Sequence, residues 1–207
     1  MIPPAQVPLP DKQAYFDGVS FFIFLSLINP VIKFSGHMWQ MVWEQNSKAV
    51  IMLNKVIEKA TVKCDQYWPR KLDGSITFEN NFEICLREEN NRSNFVVRKL
   101  QLRNLNSNED REIFQFHYTA WPDFGVPESP NAFLEFLEAV QNVGVLENSC
   151  GPAVIHCSAG IGRSGTFALV DACSVMLNKG INPDIRSTLL EMRRYRMGLI
   201  QTTQQLR

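Results

Sequence analysis

The chain has 207 residues, of which 45% are hydrophobic and 20% are charged, a composition that suits one globular domain with a sizeable core. Its 21 basic and 21 acidic residues balance, so no global positive field is present to attract nucleic acid or an anionic membrane surface. Five cysteines without paired or metal-ligand spacing argue against a disulfide framework or a metal site and favour a reducing compartment.

The first 35 residues differ in character from the rest of the chain. Their apolar run over residues 19–28 is shorter than the roughly 20 residues that a membrane-spanning helix needs. Asp11, Lys12 and Asp17 precede the run and no clear cleavage site follows it, which argues against a signal peptide. A buried strand and a mispredicted exon are the two remaining interpretations, and we assign residues 1–35 to a divergent segment of unknown role.

From residue 36 onward, hydrophobic periodicity predicts both helices and strands. Apolar side chains at helical spacing predict an amphipathic helix over residues 36–45, and an apolar run predicts a strand over residues 49–53. Alternating or β-rich stretches predict antiparallel strands over residues 61–67, 76–78, 81–87, 94–103 and 112–118, with turns at residues 73–74 and 104–110. An apolar strand at residues 153–155 then lies among three helices, over residues 129–140, 166–177 and 183–196. The order predicts a mixed α and β fold.

Residues 155–165 read Ile-His-Cys-Ser-Ala-Gly-Ile-Gly-Arg-Ser-Gly and are the most informative part of the chain. Five residues no bulkier than isoleucine separate Cys157 from Arg163, which predicts a loop that curls around an anion. Because this loop lies between a strand and a helix, its N–H groups can converge on a phosphate at the helix N-terminus. The same field favours the thiolate of Cys157, and the planar fork of Arg163 can hold two phosphoryl oxygens.

The structural alternative is that Cys157 is a buried core cysteine and Arg163 an ordinary surface charge. The joint pattern of His, Cys, a five-residue spacer, Arg, Ser and Gly at a strand-to-helix junction favours the phosphate-binding interpretation.

Together with this loop, three further segments make the chain resemble the non-receptor protein tyrosine phosphatases of the T-cell phosphatase type, which are class I cysteine-based enzymes. Residues 121–127, Trp-Pro-Asp-Phe-Gly-Val-Pro, resemble the family's mobile acid loop, residues 201–205 resemble its glutamine motif, and residues 37–68 are similar throughout. The resemblance implies an α/β (α+β) fold with a highly twisted mixed sheet flanked by helices. The family's N-terminal phosphotyrosine-recognition loop and its C-terminal closing helix are not found, so residues 36–207 are expected to form a partial catalytic domain.

The chemistry of phosphate ester cleavage assigns roles within the cysteine loop. Cys157 is the candidate nucleophile and would form a cysteinyl-phosphate. The phosphoryl oxygens would be bound by Arg163 and by the loop residues Ser158, Ala159, Gly160, Ile161 and Gly162. Ser164 would hydrogen-bond the sulfur as it leaves. His156 is expected to order the loop from beneath, because it precedes the nucleophile on a buried strand and points to the opposite face.

Asp123 is the candidate general acid, set in a loop between a rigid proline and a flexible glycine that can close over a substrate. A simple turn is the alternative for a Pro-Asp sequence near glycine. In the second step Asp123 would act as a general base, while the neutral amides of Gln201 and Gln205 would bind substrate and position the attacking water. The alternative for both glutamines is an exposed polar C-terminus.

The resemblance also assigns supporting roles to two charged residues. Glu58 matches the position that pairs with the signature arginine, and Lys63 matches one that contacts the closed acid loop. A solvated surface is the alternative for each. A basic cluster of Arg193, Arg194 and Arg196 would favour acidic peptide flanks or a second phosphate, although a solvated helix face is the preferred interpretation for Arg194 and Arg196.

The sequence therefore predicts a protein tyrosine phosphatase that acts on phosphotyrosine-containing proteins without a metal or cofactor. A catalytically weak or inactive fragment that binds phosphotyrosine proteins is the first alternative, and another enzyme that uses a Cys-five-Arg loop is the second. The remaining expectations are a cytoplasmic monomer without a membrane span and without affinity for nucleic acid.

Overall fold

The computed structural model describes residues 23–24, 32–122, 125–147 and 149–207. Most of the divergent segment over residues 1–35 lies outside the described residues, and so does Asp123. Of the apolar run over residues 19–28, only the two-residue strand Ile23–Phe24 is described.

Nine strands and five helices make up the described part of the chain. The strands are β1 Ile23–Phe24, β2 Ala49–Met52, β3 Ile57–Glu58, β4 Thr61–Val62, β5 Ser75–Phe78, β6 Phe82–Asn91, β7 Phe95–Asn104, β8 Glu109–Tyr118 and β9 Val154–His156. The helices are α1 Ile32–Glu44, α2 Pro130–Asn142, α3 Gly162–Asn178, α4 Ile185–Tyr195 and α5 Thr203–Leu206. None of these described helices has both the length and the apolar character needed to cross a membrane.

Seven of the strands form one mixed sheet in the order β1-β9-β2-β8-β7-β6-β5, while β3 and β4 form a separate hairpin. β1, β9, β2 and β8 run parallel, and β8, β7, β6 and β5 pair antiparallel. The predicted mixed sheet with flanking helices is confirmed. β9 lies between two parallel neighbours, where both faces of a strand are covered, and its Val154 and Ile155 are accordingly apolar and buried. Cys157 follows β9 directly and so lies at the carboxyl end of the second strand of the sheet.

Helices cover both faces of the parallel strands. Val50 and Met52 of β2 belong to a core cluster with the buried residues of α1, whereas Ala49 and Ile51 belong to a second cluster with α2 and α3. This division follows from the strand geometry, because successive side chains point to opposite faces. The apolar, non-alternating sequence of β2 is therefore explained by burial on both sides.

A third, smaller cluster attaches α4 to the start of α3. Leu189 and Met192 of α4 pack with Ala168 of α3 and with Leu199 and Ile200, which follow α4. The cluster brings the segment between α4 and α5 against the end of the sheet where Cys157 lies.

Most predicted elements are present. The helix predicted over residues 36–45 begins earlier, at Ile32. The strand predicted over residues 61–67 is wrong beyond Val62, where the strand ends. Beyond Val62 the chain is irregular, because Cys64 and Tyr67 both turn into the core and are fully buried at a spacing of three residues. Such a spacing does not fit the two-residue period of a strand.

Asp171 of α3 is a buried carboxyl group beside α2. Gln141 Nε2 donates a hydrogen bond to Asp171 Oδ1 at 2.8 Å. Burial raises the pKa of Asp171 from 3.8 to about 6, against the opposing effect of the Gln141 hydrogen bond. The folded protein therefore binds this proton more tightly than the unfolded chain, and the resulting stabilisation is complete below pH 3.8 and is lost as the pH rises through 6.

We expect Asp171→Asn to be more stable than the parent at pH 7, by up to about 3 kcal/mol, and to differ little from it near pH 4. Urea unfolding between pH 4 and pH 8 measures the difference, with Glu138→Gln on the exposed face of α2 as the control. A difference that does not change with pH would contradict the assignment of a raised pKa to Asp171.

Candidate active site

The cysteine loop, residues 157–163, connects β9 to α3. Cys157 is 4% exposed, and the N–H of Gly160 donates a hydrogen bond to its Sγ at 3.2 Å. Gly160 has a φ of +68°, in the left-handed region that favours glycine. Ile161 is the N-cap of α3 and has no polar side chain with which to cap the helix, so the first N–H groups of α3 are available to an anion beside the sulfur.

Arg163 is fixed at the end of the loop by three groups. Its two terminal nitrogens donate to the carboxylate oxygens of Glu58 at 2.5 and 3.1 Å. They also donate to the carbonyl oxygens of Leu53 at 3.1 Å and Pro122 at 3.3 Å. The side chains of Arg163 and Glu58 are only 12% and 4% exposed, so the pair holds the guanidinium plane in one orientation away from bulk water. The pairing that the resemblance assigned to Glu58 is present in the structure.

We expect Glu58→Ala to lower the free energy of unfolding by about 3–5 kcal/mol, because it leaves the charge of Arg163 without its partner in a largely buried position. Inorganic phosphate should also bind less tightly, since the guanidinium is no longer held. Urea unfolding and phosphate titration measure the two effects, and Glu191→Ala, which removes the partner of the exposed Arg194, is the matched control. Equal losses in both variants would show that Glu58 has no special role.

His156 lies beneath the cysteine loop and is fully buried. Its Nε2 is 2.7 Å from the hydroxyl of Tyr67, which is also fully buried. The pKa of His156 is lowered to about 4, mainly by burial and to a smaller extent by the positive charge that His117 can carry. Burial also raises the pKa of Tyr67. Both side chains are therefore neutral at pH 7, an arrangement that fits the expected supporting role of His156 and not proton transfer.

Ser164 lies in the first turn of α3 and is fully buried. Its Oγ has no hydrogen-bond partner among the described residues. A buried hydroxyl without a partner carries a desolvation cost of about 1–3 kcal/mol. The first turn of α3 thus holds a hydroxyl without a partner, and the hydrogen bond from Ser164 to the sulfur stays a prediction.

The acid loop is anchored on both sides of Asp123, although Asp123 itself lies outside the described residues. Trp121 is 1% exposed, and its Nε1 donates to the carbonyl of Gly125 at 3.2 Å. The Trp121 ring centroid is 5.8 Å from the guanidinium carbon of Arg163. A terminal nitrogen of the same guanidinium donates to the carbonyl of Pro122. These contacts bring the residues before Asp123 to Arg163, and Gly125 is held to them through Trp121.

Lys63 is half-buried, and its backbone N–H donates to the carbonyl of Val56 at 2.8 Å. Its ammonium group forms no hydrogen bond with another described residue. The contact with the acid loop that the resemblance assigns to Lys63 stays a prediction, because Asp123 is not described.

Gln201 and Gln205 lie against the start of α3. A Cβ atom placed on Gly162 would be 2.8 Å from Gln201 Oε1 and 3.1 Å from Gln205 Nε2, so only glycine fits there without displacing the amides. The N–H of Gln201 donates to Gln205 Oε1 at 3.0 Å. The hydroxyl of Thr202 caps α5 by accepting from the N–H of Gln205 at 3.2 Å. Both amides thus lie beside the cysteine loop, at the end of a short helix that the sequence analysis did not predict.

The three arginines of the basic cluster have three different environments. Arg194 is 75% exposed, as expected of a solvated helix face. Arg193 donates to the carbonyls of Leu199 and Ile200 at 2.9 and 3.0 Å. The expectation that Arg196 lies on a solvated face is wrong, because α4 ends before it and its Nε donates to the carbonyl of Gly160 in the cysteine loop at 3.2 Å.

The roles of Tyr67 and Arg196 at the site were not predicted from the sequence. The signal for Tyr67 was its place in residues 63–69, where the chain resembles the phosphatase family without any assigned role. The signal for Arg196 was its position at the end of a predicted helix, two residues before Gly198. Neither residue is close in sequence to its partner, which is His156 for Tyr67 and Gly160 for Arg196.

The five cysteines are free thiols in different surroundings. Cys64 is fully buried, and burial raises its pKa to about 11. Cys157, by contrast, accepts a backbone N–H at a helix N-terminus. In the described part of the chain, no group of three or more His, Cys, Asp or Glu side chains could hold a metal ion.

Comparison with known proteins agrees with the geometry of the site. The family model for protein-tyrosine phosphatases matches residues 24–207. The chain is 57% identical over 171 residues to human tyrosine-protein phosphatase non-receptor type 2, covering 83% of this chain and 41% of the relative. It is 50% identical over 180 residues to tyrosine-protein phosphatase non-receptor type 61F of Drosophila melanogaster, covering 86% and 33%. It is 38% identical over 182 residues to receptor-type tyrosine-protein phosphatase S of Gallus gallus, covering 88% and 12%. The chain spans less than half the length of these relatives.

Proposed function

This chain belongs to the protein-tyrosine phosphatase family, and we propose that it hydrolyses phosphotyrosine in proteins through a cysteinyl-phosphate intermediate, thereby reversing tyrosine kinase signalling. The observation that carries the proposal is the arrangement of Cys157, which accepts the N–H of Gly160, beside an arginine fork oriented by Glu58. This arrangement supplies a nucleophile and a positive group at the same end of the sheet.

In the first step, the thiolate of Cys157 attacks the phosphorus and a sulfur–phosphorus bond forms as the phosphorus–oxygen bond to the phenol breaks. Arg163 and the N–H groups of the cysteine loop bind the three remaining oxygens, whose charge is spread in the transition state. Asp123 gives its proton to the leaving phenolate oxygen. The contacts of Trp121 and Pro122 with Gly125 and Arg163 support a position for the acid loop over the site.

In the second step, water attacks the phosphorus and the sulfur leaves as a thiolate. Asp123, now ionised, accepts a proton from the water and so returns to its starting state. Gln201 and Gln205 orient the water, a role supported by the close approach of both amides to Gly162. The buried hydroxyl of Ser164 donates to the departing sulfur. Inorganic phosphate is the product.

A second function, binding of phosphotyrosine proteins with little or no turnover, needs only the anion site. It is favoured by the orientation of Arg163 through Glu58, which is in place without any proton-transfer group. The two functions share the anion site and differ in the chemical step.

Turnover by purified residues 1–207 separates the two functions. A phosphotyrosyl peptide and a phosphoseryl peptide of the same sequence are incubated with the parent and with Cys157→Ser, and released inorganic phosphate and peptide binding are measured. Phosphate release from the phosphotyrosyl peptide by the parent alone is the expected result. Binding by both proteins without release would favour the second function, and neither binding nor release would contradict both.

A further inference from the structure

The segment that follows α4 donates hydrogen bonds to two consecutive backbone carbonyls of the cysteine loop. Arg196 Nε donates to the carbonyl of Gly160 at 3.2 Å, and the N–H of Ile200 donates to the carbonyl of Ile161 at 3.0 Å. Arg193 of α4 donates to the carbonyls of Leu199 and Ile200, so the segment after α4 is itself bound to the helix. The carbonyls of Gly160 and Ile161 lie between the nucleophile and Arg163 in the sequence of the loop.

The hydrogen bonds to the carbonyls of Gly160 and Ile161 determine the directions of the next two N–H groups, those of Ile161 and Gly162. All peptide bonds of the described residues are trans, and the C=O and N–H of a trans peptide point in opposite directions. The bond from Arg196 to the carbonyl of Gly160 therefore directs the N–H of Ile161 away from Arg196. The bond from Ile200 to the carbonyl of Ile161 directs the N–H of Gly162 away from Ile200 in the same way.

The charge of Arg196 also acts on the cysteine. Arg196 is half-buried, and burial lowers its pKa while the charge of Cys157 raises it. The guanidinium reaches the sulfur through one residue, because Gly160, whose carbonyl accepts from Arg196 Nε at 3.2 Å, also donates its N–H to Cys157 Sγ at 3.2 Å. Among the described residues, the other charged or titratable side chains around the loop are Arg163 paired with Glu58 and His156 against Tyr67.

We propose that Arg196 is a positioning residue of the phosphate-binding loop, which holds the Gly160–Ile161 peptide so that its N–H faces the bound anion and places a second positive charge near the Cys157 sulfur. The proposal rests on the proposed function of the same site. It separates Arg196 from Arg163, which binds the phosphoryl oxygens directly, because Arg196 acts through the backbone of the loop.

Alkylation of Cys157 tests the proposal without any turnover. The chain of residues 1–207 is treated with iodoacetamide across a range of pH, and modification of the Cys157 peptide is followed by mass spectrometry, with and without inorganic phosphate as a protecting ligand. The variants are Arg196→Met, Arg196→Lys and the control Arg194→Met, which alters an exposed arginine in the last turn of α4. Near-UV circular dichroism verifies that each variant is folded.

Arg196→Met should slow alkylation of Cys157 at neutral pH, because the second positive charge near the sulfur is lost. It should also weaken protection by phosphate about tenfold, the effect of one misdirected hydrogen bond to a charged group. Arg196→Lys keeps the charge but not the guanidinium geometry, so it should retain the parent rate of alkylation and show the weaker protection. Arg194→Met should match the parent in both measurements.

Identical behaviour of Arg196→Met and Arg194→Met would overturn the proposal. Full phosphate protection in Arg196→Lys would overturn the positioning role, and this arm decides the question if Arg196→Met does not fold. Absence of phosphotyrosine turnover in the parent, with the expected alkylation results intact, would count against the proposed function and leave the role of Arg196 in place.

Discussion

Cys157→Ser should abolish phosphotyrosine turnover while leaving binding of phosphate mimics largely intact. A serine hydroxyl at this position fits the same loop but does not ionise at neutral pH, so it cannot attack phosphorus. The expected loss is of the order of 10⁶-fold, the scale seen when a covalent nucleophile is removed from a hydrolase. Initial rates with a phosphotyrosyl peptide measure the loss, and vanadate binding provides the readout for an intact loop.

Cys173→Ser is the matched control for this prediction, because Cys173 is a half-buried thiol on α3, outside the loop. It should retain the parent rate. Residual activity of Cys157→Ser above about one per cent of the parent would show that another group is the nucleophile.

Asp123→Ala should slow hydrolysis of phosphotyrosine by roughly 10²–10⁴-fold, the range expected when a general acid is removed. An aryl phosphate whose leaving group is already a good one, such as a nitrophenolate, should be slowed much less because its departure needs no proton. Steady-state rates for both substrates measure the contrast. Substrate binding should persist, because the groups that hold the phosphoryl oxygens belong to the cysteine loop.

Glu128→Ala, an exposed acidic residue a few positions further along, is the control for Asp123. Equal slowing of both substrates by Asp123→Ala would mean that the carboxyl group is not the proton donor. The segment over residues 121–127 would then act only as a lid over the site.

The elements that the sequence predicted well are those in which local pattern and burial agree. β2 is an apolar run because both of its faces are covered, and α2 begins at Pro130 behind the cap of Ser129, whose hydroxyl accepts from the N–H of Ala132. In both cases the information is contained in adjacent residues. The place of the cysteine loop between a strand and a helix was predicted for the same reason.

The hairpin of β3 and β4 was not predicted, because its turn carries no turn-forming residues. Lys59 and Ala60 adopt φ values of +47° and +58°, a left-handed conformation that usually requires glycine, asparagine or aspartate. This hairpin includes Glu58, which reaches Arg163 across 105 positions of sequence. The strain at Lys59 and Ala60 thus accompanies the pairing that orients the arginine.

Tyr67 and Arg196 became part of the site only through tertiary structure. Tyr67 is 89 positions from His156, and Arg196 is 36 positions from Gly160. Periodicity identifies the helix that precedes Arg196 but not the direction in which the chain leaves that helix. The side-chain contact with the loop depends on that exit, which the small cluster of Leu199 and Ile200 against α3 determines.

The most direct test of the account is detection of the covalent intermediate. The chain is mixed with a substrate that carries a radiolabelled phosphoryl group, quenched within milliseconds in acid and digested, and the label is located by peptide mapping. Gln201→Ala is included because loss of the water-positioning amide should slow the second step and increase the labelled fraction. The account predicts label on the peptide that contains Cys157, in both proteins, and none in Cys157→Ser. Label on another residue, or turnover without a covalent intermediate in Gln201→Ala, would contradict it.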